Sequence, residues 1–188
     1  MRKYSLAVTV FCLLFVFIAE AWSAPRPRLK IGDEFPGFFL KDLNGNPFYL
    51  KEQVGNASNR KYRGILFSFC AYTCKPCRKE IPELEKLGVK YLKQGLGVIL
   101  IDVGDNGKVA QNLADELKTS LPMLVDRYGL VLDLVGHPGL PHTVLIDGSG
   151  KVRYLNTSFS EEKASEILTG LENEIKAVLD SSPDASSR

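Results

Sequence analysis

The sequence lacks any long run of charge of one sign. Lys and Arg total 24 against 22 Asp and Glu in 188 residues, and the two kinds are interspersed. This balance offers neither the basic patch that binds nucleic acid nor a polybasic segment for an anionic membrane surface. Internal repeats and a composition change that would mark a second domain are also absent. Because 45% of the residues are apolar, the chain is long enough for one compact domain with a core.

A long apolar run stands at the N-terminus, over residues 6–18. Arg2 and Lys3 precede it, and the small residues Ala21, Ser23 and Ala24 follow it. This layout is typical of a secretory signal, and the run is short for a membrane span. We therefore expect a signal peptide over residues 1–23, a folded domain over 24–180 and a disordered tail over 181–188. The protein would be exported to the periplasm or extracytoplasmic face; the alternative is an uncleaved signal that anchors it in the membrane.

The mature chain has few cysteines, and they are not spread along it. Cys70, Cys74 and Cys77 lie within eight residues, whereas Cys12 would leave with the signal. A disulfide framework needs dispersed pairs, and a zinc site of this kind would use a second CxxC motif, which is absent. The cluster therefore indicates a reactive site.

Apolar patterning around the cluster predicts alternating strands and helices. Residues 64–69 and 97–103 are typical of buried strands, and residues 38–50 of a hairpin about Asn44-Gly45. Period-3.6 patterns predict a helix from Cys77, kinked at Pro82, another over 108–120, and a last one over 160–179 with a Ser158–Glu161 capping box. The run 80–86 is interpreted as a solvated helix face. The order of elements favours an α/β domain with a central mixed sheet flanked by helices.

The placement of the CxxC motif has an electrostatic reason. Cys74 follows a predicted strand directly and stands where a helix begins. Unpaired N–H groups and the positive end of a helix lower the pKa of a cysteine there and favour its thiolate. Lys75 and Arg78 would add positive charge, and Pro76 fits the first helical turn, where its missing N–H costs little.

Two distant motifs, FSFCAYTCKPCRKEIPELEKL and GLPHTVLIDGSGKV, resemble the thioredoxin superfamily. Within it, residues 31–179 are similar to the exported TlpA/ResA-like thiol:disulfide oxidoreductases, including their N-terminal β-hairpin. The resemblance implies a thioredoxin-like fold in which Cys74 attacks a protein disulfide and Cys77 resolves the mixed disulfide. It also implies a cis peptide bond between Leu140 and Pro141, in a loop that binds the substrate chain.

The same resemblance implies which partners the reaction needs. The substrates would be protein disulfides or dithiols, and a membrane reductase would supply electrons. The redox-active Cys74–Cys77 disulfide would need no organic cofactor and no metal.

Three departures from the family pattern stand next to the motif. Thr73 replaces an aromatic residue before the first active cysteine, Cys70 replaces a Trp, and Ser68 replaces a buried Asp or Asn. The last change removes an obvious internal proton acceptor. We predict that Cys70 packs as a small apolar residue, with Tyr72 or another aromatic residue filling the space that the Trp leaves.

Other functions remain open at this point. An oxidant that forms disulfides would use the same residues, and only the reduction potential separates the two directions. A copper-binding chaperone of the Sco type would use Cys70 and Cys74 with His142, which follows Pro141 and is either near the CxxC motif or a solvated loop residue. His137 is interpreted as a turn residue. A thiol peroxidase is disfavoured, because the Pro-x-x-x-Thr-x-x-Cys pattern is absent: Phe67 stands seven residues before Cys74.

Overall fold

The computed structural model describes residues 28–55, 60–136 and 139–181. The predicted signal peptide, His137 and nearly all of the predicted tail lie outside these ranges. Within them, seven strands form one mixed sheet of order β2-β1-β5-β4-β3-β6-β7. The strands are β1 (Phe39–Asp42), β2 (Pro47–Tyr49), β3 (Gly64–Cys70), β4 (Leu96–Val103), β5 (Met123–Asp126), β6 (His142–Asp147) and β7 (Val152–Asn156). The predicted α/β class with an N-terminal hairpin is confirmed.

The middle of the sheet is a parallel trio, β5-β4-β3. The carboxyl ends of parallel strands meet at one edge, so Cys70, Val103 and Asp126 end their strands on the same side. The antiparallel pairs β1–β2 and β6–β7 extend the sheet outward from this centre. Every residue of β3 is buried, as its continuous apolar run predicts for a strand covered on both faces.

In the described ranges, four α-helices cover the sheet: α1 (Lys75–Tyr91), α2 (Gly107–Leu117), α3 (Leu130–Leu134) and α4 (Ala164–Ser181). Apolar side chains of α1, α2 and α4 pack on one face, which we call the α1 face. The opposite face is covered by α3 and by N-terminal residues such as Phe35 and Leu50. Successive strand residues alternate between these faces, so Leu66, Ser68 and Cys70 of β3 share the α1 face. No helix among the described residues is long and apolar enough to cross a membrane.

Two helix predictions need correction at their ends. The last helix begins at Ala164, because residues 161–163 form a separate 3₁₀ turn preceded by Ser160, with no side-chain cap. The capping box predicted between Ser158 and Glu161 is therefore wrong. Helix α1 begins at Lys75, with Cys74 as its N-cap, and it continues through Pro82 to Tyr91.

Candidate active site

The two cysteines of the CxxC motif form a disulfide across the first turn of α1. Their Cα atoms are 5.3 Å apart. The backbone N–H of Cys77 donates a hydrogen bond of 3.2 Å to Cys74 Sγ, as a capping side chain does at a helix start. Cys74 is half-buried, whereas Cys77 is fully buried. An incoming thiol or disulfide therefore has access to the sulfur of Cys74 rather than to that of Cys77.

The residues around Cys74 divide into an exposed turn and a fixed loop. Thr73, Lys75 and Pro76 are exposed at the start of α1. Arg78 is predicted from the sequence to add positive charge beside the thiols. Its guanidinium instead contacts Tyr72 and Glu116. Its guanidinium lies 4.7 Å from the ring of Tyr72, donates to the Tyr72 carbonyl at 3.1 Å and binds the Glu116 carboxylate at 2.8 Å. These contacts hold the loop that leads into Cys74.

The Leu140–Pro141 peptide bond, for which the family resemblance implies a cis conformation, is cis. Leu140 is half-buried and packs against the apolar cluster that contains Cys70 and Cys77, and Pro141 is buried. The loop before β6 therefore lies beside the disulfide, although its two residues are more than sixty positions away in sequence.

Cys70 is a free cysteine, and it is fully buried. It belongs to the apolar cluster of Cys77, Ile81 and Leu100, against which half-buried Tyr72 also packs. Burial raises the pKa of the Cys70 thiol well above its usual value, and the nearby carboxyl groups of Asp102 and Glu80 raise it further. Cys70 thus has the surroundings of a packed apolar residue, as predicted, and Tyr72 is an aromatic neighbour of its cluster.

His142 does not join Cys70. It pairs with Phe69 in the β3–β6 register, and the two rings are 5.7 Å apart, so His142 lies on the face opposite α1. Cys70, one residue later in β3, points to the α1 face. The structure therefore does not bring together the cysteine and histidine of the copper-site hypothesis. The interpretation of His142 as a solvated loop residue is also wrong, because the side chain is buried at the start of β6.

Glu80 is a buried acid that the sequence analysis misses. The Ser68 hydroxyl donates to Glu80 Oε2 at 3.1 Å, and the Thr143 hydroxyl donates to Oε1 at 2.8 Å. The predicted solvated face over residues 80–86 is wrong at this position, because Glu80 is three residues after Cys77 and four before Leu84, which places it on the buried stripe of α1. That spacing is the signal that reveals it.

Glu80 lies one helical turn after Cys77, and its carboxyl group can take up or release a proton at that depth. Burial raises the pKa of Glu80, although its two hydroxyl donors act in the opposite direction. Ser68 does remove the carboxylate expected on β3. The helix supplies a carboxyl group in its place, and Ser68 is one of its hydrogen-bond donors.

A second acid, Asp102, is buried on β4 beside Cys70. The two residues are register neighbours in the parallel β3–β4 pair. Neither oxygen of Asp102 has a hydrogen-bond partner in the part of the chain that the structure describes. Burial, with a smaller contribution from Asp105, raises the pKa of Asp102 to about 7. The signal in the sequence is an acidic residue within an otherwise apolar run over residues 97–103.

Comparisons with known proteins agree with this geometry. Residues 31–155 match the AhpC/TSA family. Over 166 residues the chain is 30% identical to the thiol-disulfide oxidoreductase ResA of Halalkalibacterium halodurans, an alignment that covers 88% of this chain and 90% of the relative. The chain belongs to the AhpC/TSA family, among the ResA-like thiol-disulfide oxidoreductases. The ResA of Geobacillus kaustophilus is 31% identical over 164 residues, 84% of this chain and 90% of the relative.

The fold of this ResA-like protein is also that of solved structures. A thioredoxin family thiol:disulfide interchange protein from Chlorobium tepidum TLS superposes with a TM-score of 0.62 at 20% identity, covering 80% of this chain and 99% of the other. At that identity the likeness shows the fold alone. The thiol-disulfide oxidoreductase assignment follows from the ResA relatives together with the Cys74–Cys77 pair.

Among the described residues, no group of three or more His, Cys, Asp or Glu side chains is arranged to hold a metal ion.

Proposed function

We propose that this ResA-like protein is exported and reduces protein disulfides with the Cys74–Cys77 dithiol. The observation that carries the proposal is the unequal exposure of the two sulfurs at the helix start. Cys74 caps α1 and is half-buried, whereas Cys77 is buried one turn further in. Attack on a large substrate requires an accessible thiolate, and resolution requires a second thiol that the substrate does not reach.

The first step forms a mixed disulfide. In the reduced protein the Cys74 thiolate attacks one sulfur of a substrate disulfide, and the other substrate sulfur leaves as a thiolate. Donors at the N-terminus of α1 stabilise the Cys74 thiolate, and the N–H of Cys77 is the one that points to its sulfur. Exposed Lys75 adds positive charge to the same turn.

The second step returns the substrate in its reduced form. Cys77 loses its proton and attacks Cys74 Sγ, so the Cys74–Cys77 bond forms and the second substrate sulfur leaves as a thiolate. The buried carboxylate of Glu80, one helical turn away, accepts the proton of Cys77. Two electrons have then passed from the protein to the substrate, and no cofactor is required.

The loop of Leu140 and Pro141 would hold the substrate chain. Leu140 packs beside the cysteine cluster, which puts the backbone of this loop next to the sulfur that is attacked. An extended substrate segment can pair with such a backbone edge, as a peptide does when it is added to a sheet. Pro141→Ala should weaken the reduction of protein disulfides more than the reduction of a small disulfide, without unfolding the domain.

Trapping experiments test the assignment of the two cysteines. Cys77→Ser should accumulate mixed disulfides with substrate proteins, because the bond to Cys74 forms but is not resolved. Cys74→Ser should abolish insulin reduction and trap nothing. Equal trapping by both variants would contradict the roles.

The direction of the reaction and the export of the protein have separate tests. The reduction potential of the mature protein, measured against glutathione, should be low for a reductant; a high value would support a disulfide-forming oxidant. A membrane reductase would then be needed to supply electrons to the oxidised protein. N-terminal sequencing of the protein from its host should find a start between Trp22 and Pro25, whereas an intact Met1 on membrane-bound protein would indicate an anchor.

A further inference from the structure

We propose that Asp102 is a positioning residue of the redox site, which takes up a proton when the Cys74–Cys77 disulfide is reduced. The inference rests on the proposed dithiol chemistry and adds a second buried acid to it. Glu80 serves the resolving step, whereas Asp102 couples the redox state of the whole site to pH. Asp102 acts through the charge of the site and does not touch the substrate.

The position of Asp102 supports the coupling. It lies on the α1 face of β4, next to Cys70 on β3, and Cys70 shares a packed cluster with Cys77 and Leu100. Asp102 and Cys70 are both fully buried. Water is therefore excluded from this layer, and charges in such a layer are screened much less than at the surface.

A comparison with Asp126 shows what a hydrogen-bonded aspartate at this edge of the sheet has and Asp102 lacks. Asp126 ends the adjacent strand at the same edge of the sheet and is also buried. Its carboxylate accepts backbone N–H hydrogen bonds from three residues at the start of α3, Leu130, Val131 and Leu132. Asp102 has no such donor in the described ranges. Burying an unpaired carboxyl group costs free energy, and such a group favours its neutral, protonated form.

Few other titratable groups surround Asp102. Its register neighbour on β5 is the apolar Val125, and the apolar cluster of Cys70 also contains Ala110 and Leu113 of α2. The ionisable groups near Asp102 and Cys70 are Glu80 on α1 and Asp105 in the loop after β4, and the cysteine pair shares the packed cluster of Cys70. Asp105 accepts a hydrogen bond of 3.0 Å from the backbone N–H of Tyr72, which fixes it outside the buried layer. Reduction of the disulfide changes the charge of only one of these groups, Cys74.

The protons and electrons of the step balance. Reduction by glutathione breaks the Cys74–Cys77 bond and takes two electrons from two glutathione thiols, which join as one glutathione disulfide. Cys74 is left as a thiolate at the helix start, and Cys77 keeps one of the two protons released. The second proton goes to Asp102, because the new negative charge at Cys74 disfavours a carboxylate behind it.

The experiment measures the glutathione equilibrium of the mature protein at several pH values between about 5.5 and 8.5. The reduced fraction is read by mass spectrometry after the thiols are alkylated. The variant is Asp102→Asn, and the matched control is Asp115→Asn, which changes an exposed aspartate on α2. Below about pH 6 the variant and the wild type should have the same equilibrium constant, since Asp102 is protonated in both redox states there. By pH 8.5 the wild type should be harder to reduce than the variant, and its equilibrium constant for reduction should be about fivefold to tenfold lower.

The outcomes separate this inference from the proposed function. Curves of wild type and Asp102→Asn that remain parallel at all pH values would overturn the role of Asp102. A wild-type Cys74–Cys77 pair that does not exchange with glutathione would overturn the dithiol function itself. An NMR titration of the Asp102 carboxyl group in the unmutated protein gives a second test, independent of the variant's folding. Its pKa should be higher in the reduced than in the oxidised form, and equal values would contradict the proposal.

Discussion

The two halves of α1 pack on the same face of the sheet but meet it with different side chains. The first half presents Cys77 and Glu80, beside Ser68, Cys70 and Asp102 of the strands. The second half presents Leu84, Leu87 and Tyr91, which pack with the apolar side chains of Leu66, Val98 and α4. One helical periodicity thus builds both a reactive layer and an ordinary core.

The difference teaches how the fold separates reactivity from stability. The polar half lies at the carboxyl edge of the parallel strands, where α1 begins and its unpaired N–H groups are available. The apolar half is tied to the last helix: the Tyr91 hydroxyl donates to Glu172 at 2.6 Å, and the Lys90 ammonium lies 2.7 Å from the same carboxylate. Substitutions in the apolar half should therefore act on stability, and those in the polar half on redox chemistry and on the pH dependence of stability.

The largest expected effect on stability is in the apolar half. Leu84→Ala should lower the free energy of unfolding by about 2–5 kcal/mol, because it leaves a cavity at a fully buried position. Urea denaturation of the oxidised protein measures it. Val89→Ala, on the exposed side of the same helix, is the control and should change stability by less than about 0.5 kcal/mol. Equal losses at the two positions would break the comparison.

The polar half should make stability depend on pH. The pKa of Asp102 is raised from 3.8 to about 7, so the native state holds a proton that the unfolded chain releases. Stability is then greatest below about pH 4 and falls as the pH rises to about 7, by at most about 4 kcal/mol. Asp102→Asn should match the wild type at pH 4 and exceed it at pH 8. Glu80, whose pKa is also raised, leaves some pH dependence in the variant. A variant less stable than the wild type at pH 8 would contradict this sign.

Glu80 should matter for rate more than for stability. Glu80→Gln keeps a partner for the Ser68 and Thr143 hydroxyls but cannot accept the proton of Cys77. The resolving step should slow by about tenfold to a hundredfold, and mixed disulfides should persist longer in rapid-quench experiments. Glu83→Gln, on the same helix and paired with Lys86 at 2.8 Å, should leave the rate unchanged. An unaltered rate in Glu80→Gln would remove Glu80 from the mechanism.

The smallest effect is expected at Cys70. Cys70→Ala removes one buried sulfur atom from the apolar cluster and should lower stability by about 1 kcal/mol, with disulfide reductase activity nearly intact. Insulin reduction and thermal unfolding measure the two quantities. Cu(I) binding by the wild type should be no tighter than that of a dithiol alone. Tight binding that is lost in Cys70→Ala or in a His142 variant would support the copper-chaperone alternative.

Local features of the chain were enough to predict the redox pair and its setting. An apolar run that ends at Cys70, followed by Cys74-Lys75-Pro76-Cys77 and a 3.6 period, predicts a strand that leads into a helix. Such a junction depends on residues close together in sequence, and the structure has β3 and α1 there. The Gly-rich turn between β6 and β7 is likewise local.

What the sequence by itself determined is therefore the order of the elements and the chemistry of the CxxC motif. The tertiary structure alone decided which polar groups stand behind it. β3 and β6 supply the hydroxyl partners of buried Glu80, whereas Asp102, beside Val125 of β5, has no hydrogen-bond partner in the described residues. His142 and Cys70 lie on opposite faces because of the strand register. Periodicity gives each element its faces, but only packing between distant segments determines what each face meets.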